Sequence, residues 1–165
     1  MKSPILFLVF NRVDETIQSF ETIRKAKPSR LYIAADGPRN SVHGEAEVCK
    51  SVRDIVTNVY WDCEFFTLFR EINLGCRIAI IGAINWFFEN ESEGIILEDD
   101  VIPLPDFFQF CDITLEKYRD NESIKAINGF NQFGQEVTDN SYFFSRGYYP
   151  WGWATWKSRW VDYKE

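Results

Sequence analysis

Short apolar runs alternate along this chain with longer segments in which apolar residues recur every three or four positions. That alternation predicts most of its elements. Residues 5–10 form a continuous apolar run, as expected of a strand covered on both faces. Asp14 is placed to cap a helix in which Ile17, Phe20 and Ile23 recur every three residues, ending near Lys27-Pro28. Residues 31–35 read as a second strand, stopped by Asp36-Gly37-Pro38. Val48, Val52, Ile55, Val56 and Val59 give a second helix one buried stripe. Residues 65–69 predict a third strand, residues 75–89 a helix with Ile81, Ile84 and Phe88 on one face, and residues 94–97 a fourth strand. Pro105 opens a helix carrying Phe107, Phe108, Cys111, Leu115 and Tyr118, and residues 124–127 read as a fifth strand.

Four strand–helix units joined by short turns imply an α/β fold: a mostly parallel, Rossmann-like sheet with right-handed crossovers and helices on both faces. A mixed α+β arrangement of the same elements is the alternative. The length of 165 residues fits one domain with a sizeable core. Aromatic residues make up 17% of the chain, and they crowd toward its end, from Tyr142 to Tyr163. Within that stretch Trp153, Trp156 and Trp160 stand at i, i+3, i+7, the spacing of one helix face, which favours a core role for Trp156 and Trp160.

The net charge of −7 repels phosphate backbones and argues against nucleic acid as a partner. The single histidine, His43, excludes sites that need two imidazoles and reads as a surface loop residue. Cys49, Cys63, Cys76 and Cys111 stand without a CxxC pair and read as reduced, mostly buried thiols. The first apolar run is too short for a signal-peptide core, and no stretch approaches the ~20 apolar residues of a membrane span. The expectation is a cytoplasmic protein with no integral membrane segment, a peripheral place at a membrane being left open.

In open parallel sheets ligands bind beyond the carboxyl ends of the strands, so the residues that follow each strand are the candidates. They are Asn11-Arg12, Asp36-Gly37, Arg70 and Glu98-Asp99-Asp100. Neither GxGxxG nor GxxxxGK[ST] is present. Three consecutive carboxylates repel one another unless a cation or several donors stand nearby. A Mg²⁺ or Mn²⁺ ion would resolve that conflict. An acidic turn at the start of the next helix is an equal reading.

The segment Leu97-Glu98-Asp99-Asp100-Val101-Ile102-Pro103-Leu104-Pro105-Asp106-Phe107-Phe108 resembles the metal-binding segment of N-acetylglucosaminyltransferase I and related enzymes. Residues 4–12 are similar to the first strand of nucleotide-sugar glycosyltransferases with the GT-A fold. Asn73-Leu74-Gly75-Cys76-Arg77 is similar to a turn and arginine of their family-2 members, and residues 149–156 to a glycine-tryptophan acceptor-side segment. The resemblance spans nearly the whole chain. It implies one GT-A domain, with a donor-binding part over residues 1–128 and the start of an acceptor-side part over 129–165.

The resemblance also implies roles. Asp36 would contact the nucleobase with Asn11 and Arg12 beside it, Glu98 and Asp99 would face the ribose and sugar, and Asp100 would bind the metal that bridges the diphosphate. Arg70 and Arg77 would lie near the phosphates, and Gly152 and Trp153 near the acceptor. Arg12 pairing with Asp14 or Glu15, and Arg77 as a solvated helix residue, are the plainer readings. The implied activity is a Mn²⁺- or Mg²⁺-dependent glycosyltransferase that moves a sugar from a nucleotide sugar, with a UDP-sugar as the expected donor, to a glycan or similar hydroxyl acceptor. No residue maps securely onto the catalytic base of the inverting members, Asp162 being the nearest aspartate. The chain is therefore expected to be a donor-binding portion, or to take its base from elsewhere. A nucleotide-sugar-binding domain without turnover is the main alternative, and a metal-dependent phosphohydrolase a third.

Overall fold

Strands that are apolar throughout need cover on both faces, and the computed structural model, which describes residues 1–135 and 137–164, provides it with five helices around a six-stranded sheet. In chain order the elements are β1 (Ile5–Val9), α1 (Val13–Ala26), β2 (Arg30–Ala35), α2 (Glu45–Val56), β3 (Glu64–Phe69) and α3 (Cys76–Asn90). They continue with β4 (Glu93–Glu98), α4 (Pro105–Tyr118), β5 (Ile127–Asn128), β6 (Trp153–Trp156) and α5 (Lys157–Lys164). The sheet order is β3-β2-β1-β4-β6-β5. The first four of these are parallel, whereas β6 runs antiparallel to β4 and β5 antiparallel to β6.

β1 lies near the centre, and all of its residues are buried. Its pleat sends Ile5, Phe7 and Val9 to one core with Phe20, Ile23, Val52, Val56, Cys111 and Leu115. Leu6 and Leu8 point to the other core, with Ala83, Ile84, Phe87, Phe88 and Trp160. Helices α1, α2 and α4 thus cover one face, and α3 and α5 the other. Each large side chain fully buried in this way contributes roughly 1.5–3 kcal/mol.

The structure corrects the helix faces in two places. In α1 the inward residues are Thr16, Ser19, Phe20 and Ile23, while Ile17 is 48% exposed. The hydroxyls decide this: the single Ser19 hydroxyl hydrogen is shared by the carbonyls of Asp99 and Val101, each 2.8 Å from Oγ, and Thr16 Oγ1 donates to that of Arg12. Asp14 is no cap but lies in the first turn, where its charge favours the helix dipole. In α2 the buried stripe is Glu45, Cys49, Val52 and Val56, and Val48 is exposed.

The other correction concerns the tryptophans. Trp153 and Trp156 belong to a strand, and the strand period sends Trp153 to the core under α3 and Trp156 to the opposite core. Of these three only Trp160 is helical. The fifth strand is shorter than expected and begins only at Ile127. Between β5 and β6 the chain makes an aromatic excursion, pinched at its neck by a 2.8 Å hydrogen bond from the Gly129 N–H to the Gly152 carbonyl. Gly152 has φ +73°, a backbone conformation that strains any other residue, and a Cβ there would also crowd Val101 at 3.3 Å, so glycine is favoured at this neck.

Candidate functional site

The chain steps from β1 outward to β2 and β3, then returns to lay β4 on the other side of β1. Where the order reverses, the connections diverge and leave a crevice at the carboxyl ends of the strands. A cleft of about 310 Å³ opens there, between these strand ends and the first half of α3. Leu8, Ala34, Ala79 and Ala83 give it an apolar wall, and Asn11, Arg12, Asp36, Arg39, Arg70, Asn73, Glu98 and Asp99 a polar rim.

Asp36 is a brace within this rim. Its carboxylate, nearly buried at the end of β2, accepts the backbone N–H groups of Gly37, Leu74 and Gly75 at 3.0–3.1 Å. Asn73 Nδ2 ties the same loop to the Gly37 carbonyl at 2.8 Å. The crossing is so close that a Cβ on Gly37 would stand 2.4 Å from the Ile72 carbonyl carbon. The wall that leads into α3 is therefore fastened to the end of β2 by side chain and backbone together.

A second brace comes from α2. Glu45, buried in the first turn of that helix, takes a two-pronged hydrogen bond from the Arg39 guanidinium and a third from the Arg39 N–H at 2.6 Å. It also accepts Asn11 Nδ2 at 2.9 Å. These donors, those of Arg39 first, hold the Glu45 carboxyl at about 2, well below its usual range. Both partners line the cleft, and the Arg39 guanidinium lies 5.6 Å from the centre of the Phe10 ring.

The acidic triplet is met from across the crevice by Arg12, whose Nη1 reaches Asp99 Oδ1 at 3.0 Å and Asp100 Oδ2 at 2.6 Å. Arg12 thus pairs with these residues rather than with Asp14 or Glu15. Asp99 also accepts the Phe10 N–H at 3.2 Å. Burial pushes the Asp99 carboxyl up despite Arg12, and burial followed by the charges of Asp100 and Asp99 pushes Glu98 up. Among the described residues no group of three or more histidine, cysteine, aspartate or glutamate side chains stands ready to hold a metal ion. Arg12 takes one oxygen each of Asp99 and Asp100. Asp100 gives it only Oδ2 and remains half exposed, which suits an ion held by one carboxylate and completed by phosphate oxygens and water.

Of the residues singled out in the sequence, Asn11, Arg12, Asp36, Arg70, Glu98 and Asp99 come together in the cleft, and Asp100 joins them through Arg12. Arg77 is exposed on α3 and does not line it. Gly152 is buried, and Trp153 lies in the core against Tyr148 at 5.4 Å. Asp162 pairs with Lys125 at 3.2 Å, away from the cleft lining. Arg39 and Glu45 were missed, since neither directly follows a strand. The one available signal was an acidic residue opening a helix. His43 lies in an exposed turn, as expected, whereas only Cys49 and Cys111 of the four free thiols are fully buried.

Cys76 is the exposed thiol, and it lines the cleft. Burial raises the thiols of Cys49, Cys63 and Cys111 and so lowers their reactivity. A maleimide probe at neutral pH is expected to label Cys76 first, by about 10-fold or more. Peptide mapping after a short pulse checks this, and first labelling at Cys63 would contradict it.

Fold and cleft together define an α/β protein with a polar-rimmed cleft at the switch point of a mostly parallel sheet. No protein-family model matches the chain, and no curated protein does. Among solved structures, S. aureus TarS 1-349 matches over 99% of this chain and 49% of its own, with a TM-score of 0.58 and 10% identity. The glycosyltransferase GlyE in Streptococcus pneumoniae TIGR4 matches over 99% of this chain and 36% of its own, with a TM-score of 0.49 and 12% identity. The chain thus spans about half the length of the first and about a third of the second. The likeness to TarS is one of fold, and the fold is the expected mostly parallel α/β sheet flanked by helices. No helix among the described residues is long and apolar enough to cross a membrane.

Proposed function

We propose that this chain is a nucleotide-sugar-dependent glycosyltransferase, or the donor-binding part of one, which binds a UDP-sugar in the cleft and delivers the sugar to a hydroxyl of a glycan or similar acceptor. The observation that carries this reading is the convergence of Asn11, Arg12, Asp36, Glu98 and Asp99 on one cleft at the switch point. The resemblance of the acidic segment to N-acetylglucosaminyltransferase I and related enzymes supports it further. Asp36 and Asn73 hold the wall beside the nucleoside, and Arg39 and Asn11 offer donors to it. Glu98, on the rim of the cleft, can accept a hydrogen bond from a ribose or sugar hydroxyl. Asp100 would hold a Mn²⁺ or Mg²⁺ ion, which supplies Lewis acidity to offset charge on the departing diphosphate. Arg12 offsets part of the triplet's charge through Asp99 and Asp100 and keeps a guanidinium beside the path of the phosphates. The pairing of Asp162 with Lys125 favours a second reading, a domain that binds the nucleotide sugar without turning it over.

A thermal-shift series with nucleoside diphosphates and nucleotide sugars tests the proposal. At a hundredfold excess over Kd a ligand stabilises by about 2.7 kcal/mol, so UDP with Mn²⁺ is expected to raise Tm by roughly 5–10 °C. The increment should shrink in excess chelator. Asp100→Asn is expected to retain the Tm of the free protein while losing the metal-dependent part. Equal shifts with and without chelator would remove the metal from the reading, and no shift with any nucleotide would remove the donor. Transfer of radiolabelled sugar, compared with binding, separates the two readings.

A further inference from the structure

Gly82 sits in the middle of α3 without any backbone need for glycine, since it is not among the residues with positive φ. Glycine weakens a helix relative to alanine at such a position. What its missing side chain provides is space for a single group. A Cβ at residue 82 would stand 2.7 Å from Arg70 Nη2 and 3.7 Å from Arg70 Cζ, with no other residue's atoms among its close contacts.

Arg70 is fixed at its root and lightly held at its tip. Its N–H donates to the Ala35 carbonyl at 3.0 Å, and its carbonyl accepts Arg53 Nη2 at 2.5 Å. From there the side chain reaches across to α3, where Nη1 makes one long hydrogen bond of 3.4 Å to the Ala79 carbonyl. Among the described residues no carboxylate pairs with it, although the protein carries 25 acidic residues against 18 basic ones. A half-buried guanidinium with most of its donors unengaged stands on the wall of the cleft. Such a group is suited to oxygen acceptors that arrive with a ligand.

We propose that Gly82 is a positioning residue for Arg70, and that the guanidinium it admits against α3 hydrogen-bonds oxygen acceptors of the bound nucleotide. This deepens the nucleotide reading of the cleft and rests on it. The acceptors are phosphate oxygens or the carbonyl and hydroxyl oxygens of the nucleoside. Because the crowded atom is the end of a flexible side chain, alanine at residue 82 leaves the backbone in place and moves only Arg70.

The test is a double-mutant cycle read by calorimetric titration of UDP and of uridine, with Mn²⁺ present throughout. Gly82→Ala is expected to fold with a Tm unchanged or raised by about 2 °C, as helix propensity dictates, and yet to bind UDP about 10-fold more weakly. Arg70→Ala is expected to lose at least as much. The double variant should bind no more weakly than Arg70→Ala alone, because the glycine acts only through that arginine. Loss for UDP but not uridine identifies the phosphates as the acceptors, and loss for both identifies the nucleoside. Gly82→Ala binding UDP as tightly as wild type, or losses that simply add in the double variant, would overturn the proposal while leaving the nucleotide reading intact. Wild type that fails to bind UDP would overturn both.

Discussion

Asp36→Ala is expected to lower stability by about 2–4 kcal/mol, because the Leu74, Gly75 and Gly37 amides lose their acceptor in a part of the rim with limited access to water. A buried donor without a partner costs roughly 1–3 kcal/mol, and water reaching the half-exposed loop recovers part of the sum. Nucleotide affinity should fall with it, since the same loop carries Asn73 and leads into α3. Asp36→Asn retains one acceptor oxygen and should fall between. Urea unfolding gives the stability, and hydrogen exchange at the Leu74 and Gly75 amides gives the local effect. A loss under about 1 kcal/mol with unchanged exchange would show that the loop holds itself.

Glu45→Gln is expected to lower Tm at pH 7 by about 5 °C, because the charged hydrogen bonds to Arg39 are the strong part of that brace. The sign of its pH dependence follows from the depressed carboxyl. Wild type gains stability from the ionised group above the ordinary value of 4.5 and loses it as pH falls toward about 2. The neutral variant has no such gain to lose. The gap between the two should therefore close progressively below about pH 4.5, as melting curves across that range would show. A gap independent of pH would assign the loss to packing rather than charge.

The sequence revealed those parts of the fold in which one physical demand dominates. β1, β2 and β4 are covered on both faces, so they read as unbroken apolar runs with a polar residue where each emerges into the cleft. That is why Asn11, Arg12, Asp36, Glu98 and Asp99 could be picked from position alone. Ile17 and Val48 misled because the inward faces of α1 and α2 also carry Thr16, Ser19 and Glu45, which are buried for their hydrogen bonds. β6 was hidden by a coincidence of periods. Tryptophans at residues 153, 156 and 160 fit a helix, and only pairing with β4, some 60 residues earlier, shows that the first two lie on opposite faces. The Arg39–Glu45 brace left only the weak signal of an acidic residue opening a helix, since it joins a loop to a helix start and repeats with no period.

The neck between Gly129 and Gly152 bears on how such a protein can change over evolutionary time. Loop-closure entropy grows only logarithmically, so doubling a flexible insert between fixed ends costs about 0.6 kcal/mol. The excursion it closes presents Phe130, Tyr149 and Trp151 at its surface, packed on one another but apart from the cleft lining. Insertions and exchanges in this stretch are therefore nearly decoupled from the residues that would hold the donor. The neck can therefore work as a cassette boundary: the stretch beyond it can drift, while the cleft that would hold the donor on the proposed reading stays fixed.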